Sequence, residues 1–270
     1  MSDGVQETFR LTRMPFDKDV PDELIWVDKS REEALGRLVD AVTHRRHALV
    51  LGEPGAGKTT VLRALRARMS PAHFRLHYTA HVTLGRRDFY RQLCFALGIE
   101  PKTTPAAMFE GLQRMCAQNA QEHRVHSVIV LDEAQLMPDV TLGHLHVLTN
   151  FGWDSQPLLS LVFVGLVELH DRLRLSMHRS LLTRIHTKVE LTPGDPSMTA
   201  SYVRKRLADA GARDELFTGD ALAVLHDETG GLLRSVDVVA SAALRLAARE
   251  DKPRVDRDIL RRALHHTPLI

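Results

Sequence analysis

Eight consecutive residues, Gly52-Glu53-Pro54-Gly55-Ala56-Gly57-Lys58-Thr59, have the types and spacing of a phosphate cradle. The glycines let backbone N–H groups turn inward around phosphate oxygens, and a helix that starts there aims its positive N-terminus at the same charge. Lys58 adds a full cation for β- and γ-phosphates, the Thr59 hydroxyl is placed to ligate magnesium, and Thr60 completes the set at the start of the helix. The chemistry expected is the binding of ATP with magnesium. A glycine-rich turn that matches by accident would lack the flanks seen here, an apolar run before the motif and helical spacing after it.

About seventy residues further on, Val128-Ile129-Val130-Leu131-Asp132-Glu133 is an apolar run that ends in two acids. A buried strand would deliver Asp132 to the edge of a sheet where ligands bind, so that it holds magnesium through water, and Glu133 would polarise an attacking water. Taken alone, such a run is equally a strand that ends in a solvated turn. Its distance from the phosphate cradle favours the chemical reading.

The elements that position these residues follow from periodicity. His47–Leu51, Arg75–Tyr78, Ser127–Leu131, Leu159–Val164 and Thr187–Leu191 read as strands. Between them, Arg31–Val42, Thr59–Met69, Arg87–Leu97, Pro105–Glu122, Thr141–Asn150 and Val167–Leu175 read as helices. Strands alternating with helices predict an α/β fold, a doubly wound parallel sheet with helices on both faces. After Leu191 the turn-rich Thr192-Pro193-Gly194-Asp195-Pro196 opens a wholly helical stretch, with helices over Ser197–Ala210, Thr218–Thr229, Leu233–Glu250 and Asp256–His266. The expected organisation is an extended N-terminal arm over 1–22, a P-loop ATPase domain over 23–192 and a small all-helical lid over 193–270. Pro15 and Pro21 predict an arm that is extended rather than helical, with Met14-Pro15-Phe16 pinning it to the body.

The 270 residues are 44% hydrophobic and 26% charged, enough apolar material for a sizeable core. A net charge of +2 does not mark a nucleic-acid binder, so any DNA contact requires a local basic patch. Cys94 and Cys116 sit in helical segments of a chain without a signal-peptide pattern, which predicts reduced, buried thiols and a cytoplasmic location. The most apolar stretch, Leu158–Leu169, is too short to span a bilayer. The fifteen histidines include His144 with His146 and His265 with His266, but neither pair shares a helix face, so they are read as scattered surface residues rather than metal ligands.

The chain resembles the ExeA-like AAA+ ATPases, a group of secretion accessory proteins and transposon-encoded helper ATPases. The resemblance rests on Phe9-Arg10-Leu11-Thr12-Arg13-Met14-Pro15-Phe16, the P-loop, Leu131-Asp132-Glu133-Ala134-Gln135, Leu148-Thr149-Asn150-Phe151 and Gly230-Gly231-Leu232-Leu233-Arg234. It implies that an arginine in Leu182-Thr183-Arg184-Ile185 reaches the ATP of a neighbouring subunit, with Arg184 first and Arg179 second. It implies also that Arg234 is a second sensor that couples ATP to the angle between domains. One position departs from the family pattern: Leu166 follows Phe163-Val164-Gly165 where a polar first sensor is usual, which puts brisk hydrolysis in question, and Asn150 is the candidate substitute.

In the transposon-encoded members, loops matching Gly85-Arg86-Arg87-Asp88-Phe89 and Pro101-Lys102-Thr103-Thr104 line a channel and touch the DNA backbone. The resemblance therefore implies phosphate contacts from Arg86, Arg87, Lys102 and Thr103 without sequence preference. It also implies a homo-oligomer, ring or helical filament, on double-stranded DNA, serving a transposase and possibly a target-selection protein, with no membrane. The competing expectations are an ATPase accessory of a secretion apparatus, whose members add a membrane span and an envelope-binding region not found in this sequence, and an ATP-gated switch that does not bind DNA.

Overall fold

The structure, a computed structural model, describes residues 4–267. Its helices, in chain order, are α1 (Val5–Phe9), α2 (Lys29–Thr43), α3 (Lys58–Arg68), α4 (Arg86–Ala96), α5 (Pro105–Gln121), α6 (Asp139–Leu142), α7 (Leu145–Leu148), α8 (Glu168–Arg174), α9 (Arg179–Leu182), α10 (Pro196–Asp209), α11 (Gly219–Thr229), α12 (Leu233–Arg249) and α13 (Arg257–His265). The strands are β1 (His47–Gly52), β2 (Phe74–Thr79), β3 (His126–Leu131), β4 (Leu159–Gly165) and β5 (Ile185–Leu191). Two compact units emerge: Lys29–Gly52 with Val61–Leu191, and the chain before Lys29 with Glu53–Thr60 and the chain after Leu191.

The first unit is built on one parallel sheet with the order β2-β3-β4-β1-β5. Every residue of β1, β3 and β4 is buried, which is why these three read in the sequence as unbroken apolar runs. The core packs Leu49, Leu51, Ile129, Leu131 and Phe163 against helical residues such as Phe89. Because the strands are parallel, the C-terminal ends of β1, β3 and β4 share one edge: Leu51 pairs with Gly165, and Leu131 with Phe163.

The helix expected over Thr141–Asn150 is broken. Gly143 and His144 separate α6 from α7, and the chain winds there through tight turns, with His144 N–H on the Thr141 carbonyl at 3.1 Å and Val147 N–H on the His144 carbonyl at 3.0 Å. The space at the break is tight: a Cβ on Gly143 would lie 3.1 Å from the Asp139 carbonyl and 3.4 Å from the ring of buried His178, so glycine is the residue that fits there. The histidines also depart from expectation. His47, His126 and His178 are buried, not on the surface, because each finds a polar partner inside: Leu161 N–H, Ser160 Oγ and Asp139 respectively. His144 is hydrogen-bonded to the Tyr90 hydroxyl at 2.6 Å. Cys94 and Cys116 are buried free thiols, and burial pushes that of Cys116 up to about 12.

In the second unit α10 to α13 enclose a core that includes Val203, Leu225, Val239, Leu244 and Leu260. The arm belongs to this core, with Phe9, Leu11 and Phe16 buried in it. It is not wholly extended: α1 forms before the prolines and closes at Arg10, whose φ of 52 lies in the left-handed region. The anchor is Arg206 on α10. Its guanidinium donates to the carbonyls of Pro15 at 2.6 Å and Asp17 at 2.7 Å and to the Tyr202 hydroxyl at 2.8 Å. Burying that charge is tolerable only because every face of the fork is occupied, the Phe16 and Tyr202 rings included. Trp26 packs on Tyr202 with ring centroids 5.3 Å apart. Gly231 sits at φ +73, and a Cβ there would fall 2.2 Å from the Gly194 carbonyl oxygen, so this crossing of the hinge and the α11–α12 turn admits only glycine.

Candidate nucleotide site

The phosphate-binding motif adopts the conformation its residue types require. Gly55 and Gly57 have φ of +86 and +94, angles that side chains disfavour, and the turn closes with Ala56 N–H on the Glu53 carbonyl at 3.1 Å. Lys58 opens α3 and its ammonium donates to the Glu53 carbonyl at 3.1 Å, which folds the cation over the loop. Thr59 and Thr60 follow in the first turn of α3. Arg234, in the first turn of α12, is brought against this loop: a Cβ on Gly55 would stand 3.0 Å from the Arg234 Cβ. The residue implied as a second sensor therefore lies beside the phosphate-binding turn, in the same compact unit.

Asp132 and Glu133 leave the sheet at the end of β3, on the edge where β1 delivers Gly52 to the motif. The Asp132 carboxylate is held on both oxygens, with Glu133 N–H on Oδ1 at 2.9 Å and the Tyr78 hydroxyl on Oδ2 at 2.7 Å. Desolvation, and then the bond to Asp132, push the Tyr78 phenol well above its ordinary range, so it stays a donor. Each carboxylate oxygen has two lone pairs, so one on each remains to accept from a further donor or to meet a cation. Glu133 sits at φ 53, a left-handed conformation that costs a non-glycine residue about 1 kcal/mol. Its side chain is exposed, and Gln135 Nε2 donates to its Oε2 at 2.7 Å.

Sequence reasoning did not assign Tyr78 or Gln135. Gln135 stood in the Leu131–Gln135 motif, and that was the available signal. At Asn150 the backbone carbonyl accepts Gln113 Nε2 at 3.1 Å, and the side chain is exposed.

Arg184 ends the turn after α9 and precedes β5, whose Ile185 pairs with His47 at the start of β1. It is therefore at the N-terminal edge of the sheet, one strand length, about 20 Å, from the edge that carries Asp132. Arg184 is ion-paired with Asp154, and this contact holds the Asp154 carboxyl below its usual range. Asp154 closes a run of left-handed residues, with Gly152, Trp153 and Asp154 at φ 53, 60 and 65. Trp153 at its tip is 100% exposed, and Arg179 is exposed on α9.

Arg86 and Arg87 are exposed at the start of α4, and Lys102 and Thr103 are exposed beyond its far end. Nine further residues of α4 follow Arg87, about 14 Å along the axis, before the chain reaches Lys102 and Thr103, so the four are not neighbours in one turn. Lys102 and Thr103 line a groove of about 400 Å³ together with Glu100, Glu110 and Arg114, a mixed rather than a basic surface.

Comparison with known proteins identifies the class. Residues 40–173 match the model of the family described as AAA domain. The solved structures it resembles include the Aeropyrum pernix ORC2 protein (TM-score 0.73, 18% identity, 94% of this chain and 71% of that chain), the Aeropyrum pernix ORC1 protein in complex with DNA (0.71, 21%, 94% and 69%) and the Thermotoga maritima RuvB Holliday junction branch migration motor (0.61, 18%, 94% and 73%). At these identities the likeness is one of fold, and the fold with its matched segment is that of an AAA+ P-loop ATPase. Among individual proteins the chain is similar to General secretion pathway protein A of Aeromonas hydrophila, 32% identical over 240 residues. That match takes in 87% of this chain but 43% of the relative, so the chain spans less than half of that protein's length. Regions outside the match do not separate the secretion and transposition readings. Among the described residues no helix is long and apolar enough to cross a membrane.

Proposed function

We propose that the protein is an ATP-hydrolysing AAA+ subunit that becomes active when copies of it assemble, and that the assembly forms on double-stranded DNA in the service of a transposase. The observation that carries the assembly is the position of Arg184 at the sheet edge opposite Asp132 and Glu133. A cation there is too far to serve its own subunit's Glu133, which supports a role on a neighbour's nucleotide. In this reading Lys58 with Gly52, Glu53, Pro54, Gly55, Ala56, Gly57 and Thr60 holds the phosphates, Thr59 and Asp132 hold magnesium, and Glu133 accepts the proton of the attacking water. Magnesium supplies charge neutralisation on the phosphates. Arg234, against the P-loop turn, registers the bound nucleotide in the helical unit.

Mixing two inactive variants tests the assembly. Arg184→Ala keeps its own water-activating carboxylate and lacks the trans cation; Glu133→Gln has the reverse defect. Each alone is expected to turn ATP over at least about 100-fold slower than the parent, and an equimolar mixture to recover activity that neither has. No recovery, with both variants binding ATP, rejects Arg184 as a group acting in trans.

Support for DNA comes from the exposed Arg86 and Arg87 and from the fold shared with a protein solved on DNA. Replacing both arginines by alanine is expected to weaken duplex binding for every sequence tested and to flatten the slope of log affinity against log salt by about 0.9 per lost phosphate contact per subunit. An unchanged slope would leave the pair as a solvated turn. It would favour the second reading, an ATPase accessory of a secretion apparatus, which the 32% identity to General secretion pathway protein A supports.

A further inference from the structure

Leu166 leaves the end of β4 without a side chain that can hydrogen-bond, beside the turn that carries Glu133. The polar group at this place comes from another element. Gln135, in the 3-10 turn Ala134–Leu136, donates from Nε2 to Glu133 Oε2 at 2.7 Å and accepts the Leu166 N–H on Oε1 at 3.2 Å. The chemistry of the partners fixes the orientation of the amide, since a carboxylate only accepts and a backbone N–H only donates; a flipped amide would lose both bonds.

Three features hold the side chain in place. It lies over Gly165, where a Cβ would come within 2.6 Å of Gln135 Oε1, so any larger residue at the end of β4 would displace it. Arg172 on α8 fastens the turn from below, donating to the carbonyl of Gln135, to that of Met137 at 2.8 Å, and to the Asp139 carboxylate. Buried His178 completes the brace, its Nε2 3.1 Å from Asp139 Oδ1.

We propose that Gln135 is a positioning residue that couples the Glu133 carboxylate to the end of β4, supplying from the turn after β3 the polar contact that Leu166 lacks. The inference rests on the reading of Glu133 as the group that accepts the proton from water. The amide occupies one lone pair of Oε2, which leaves Oε1 the less encumbered oxygen to receive that proton. The amide also limits the rotamers open to an otherwise exposed side chain, so the carboxylate need not be reoriented for each turnover.

The experiment measures ATP affinity and turnover for Gln135→Ala, Gln135→Glu and the double variant Gln135→Ala with Leu166→Asn, beside Glu133→Gln. Gln135→Ala is expected to lower kcat about 10- to 100-fold with ATP affinity within about twofold of the parent. Leu166→Asn in that background is expected to restore several-fold by returning a polar group to the end of β4. Gln135→Glu replaces the donor by a like charge and is expected to lower kcat at least as far as Gln135→Ala. A purely structural glutamine would give neither the split between kcat and ATP affinity nor the rescue. Turnover of Gln135→Ala within twofold of the parent, or no rescue by Leu166→Asn, overturns the proposal while Glu133→Gln remains inactive. Full activity of Glu133→Gln instead overturns the reading of Glu133 and the proposal with it.

Discussion

Lys58→Ala is expected to lower ATP affinity at least about 100-fold, measured by calorimetry, while urea unfolding without nucleotide shifts by no more than about 1 kcal/mol. The asymmetry follows from what the ammonium touches. Within the folded loop it donates to the Glu53 carbonyl at 3.1 Å, a contact of modest net worth. Toward a triphosphate it is a full charge against several, and losing charge-assisted bonds of that kind costs about 3 kcal/mol, two orders of magnitude in binding. Gly55 and Gly57 would keep the loop's shape, so the variant should fold and fail to bind. Equal affinity in variant and parent would remove the phosphate-binding role from the motif.

Acid is expected to destabilise the sheet unit from about pH 6.5 downward, beginning before most of its carboxylates titrate. His47 and His126 lie at the N-terminal ends of β1 and β3, on either side of β4, where Leu161 N–H donates to His47 Nδ1 at 3.0 Å and Ser160 Oγ lies 2.8 Å from His126 Nε2. Burial pushes both imidazoles down to about 4 from 6.5, and nearby positive charge, that of His186 and Arg184 on His47 and that of Arg45 on His126, acts in the same direction. His47 has a second reason to stay neutral: a protonated Nδ1 could not accept the Leu161 N–H. Since the folded values are depressed, the unfolded chain binds these protons more readily. The stability they represent is complete above pH 6.5 and is lost as pH falls toward 4, at most about 3 kcal/mol for each ring. Urea unfolding between pH 7.5 and 4.5 is expected to show stability falling by as much as about 2.7 kcal/mol per pH unit in the steepest part, the slope for two protons. A flat profile between pH 7 and 5 would mean that neither ring is buried in its neutral form.

What the sequence disclosed was what local chemistry determines. The strand, glycine turn and helix around Lys58 could be read directly, as could helix starts where a capping side chain precedes proline: Thr104 accepts Ala107 N–H before α5, and Asp195 accepts Met198 N–H before α10. The three apolar strands were legible because both of their faces are covered. What escaped depends on residues far apart in the chain. The break between α6 and α7 is not announced by any periodicity within 141–150, and the ring that closes the space over Gly143 belongs to His178, more than thirty residues away. The buried histidines look like any others until Ser160 and Leu161 arrive beside them. Tyr78 meets Asp132 only because β2 and β3 are neighbours, with Tyr78 paired to Val130. Gln135 was visible as part of a motif, but its work depends on Leu166, and that contact exists only once β4 lies beside β3.

The distribution of indole rings has a practical consequence. The chain has two tryptophans, and the units take one each: Trp26 stacks on Tyr202 among helices, while Trp153 stands wholly in water at the tip of the turn that presents Asp154 to Arg184. The exposed indole is set to report on the arginine-bearing edge of the sheet: its emission is expected to move to the blue if the proposed assembly covers that edge. The half-buried Trp26 answers instead to the packing around Tyr202 on α10. A single unlabelled sample thus carries one reporter for each unit.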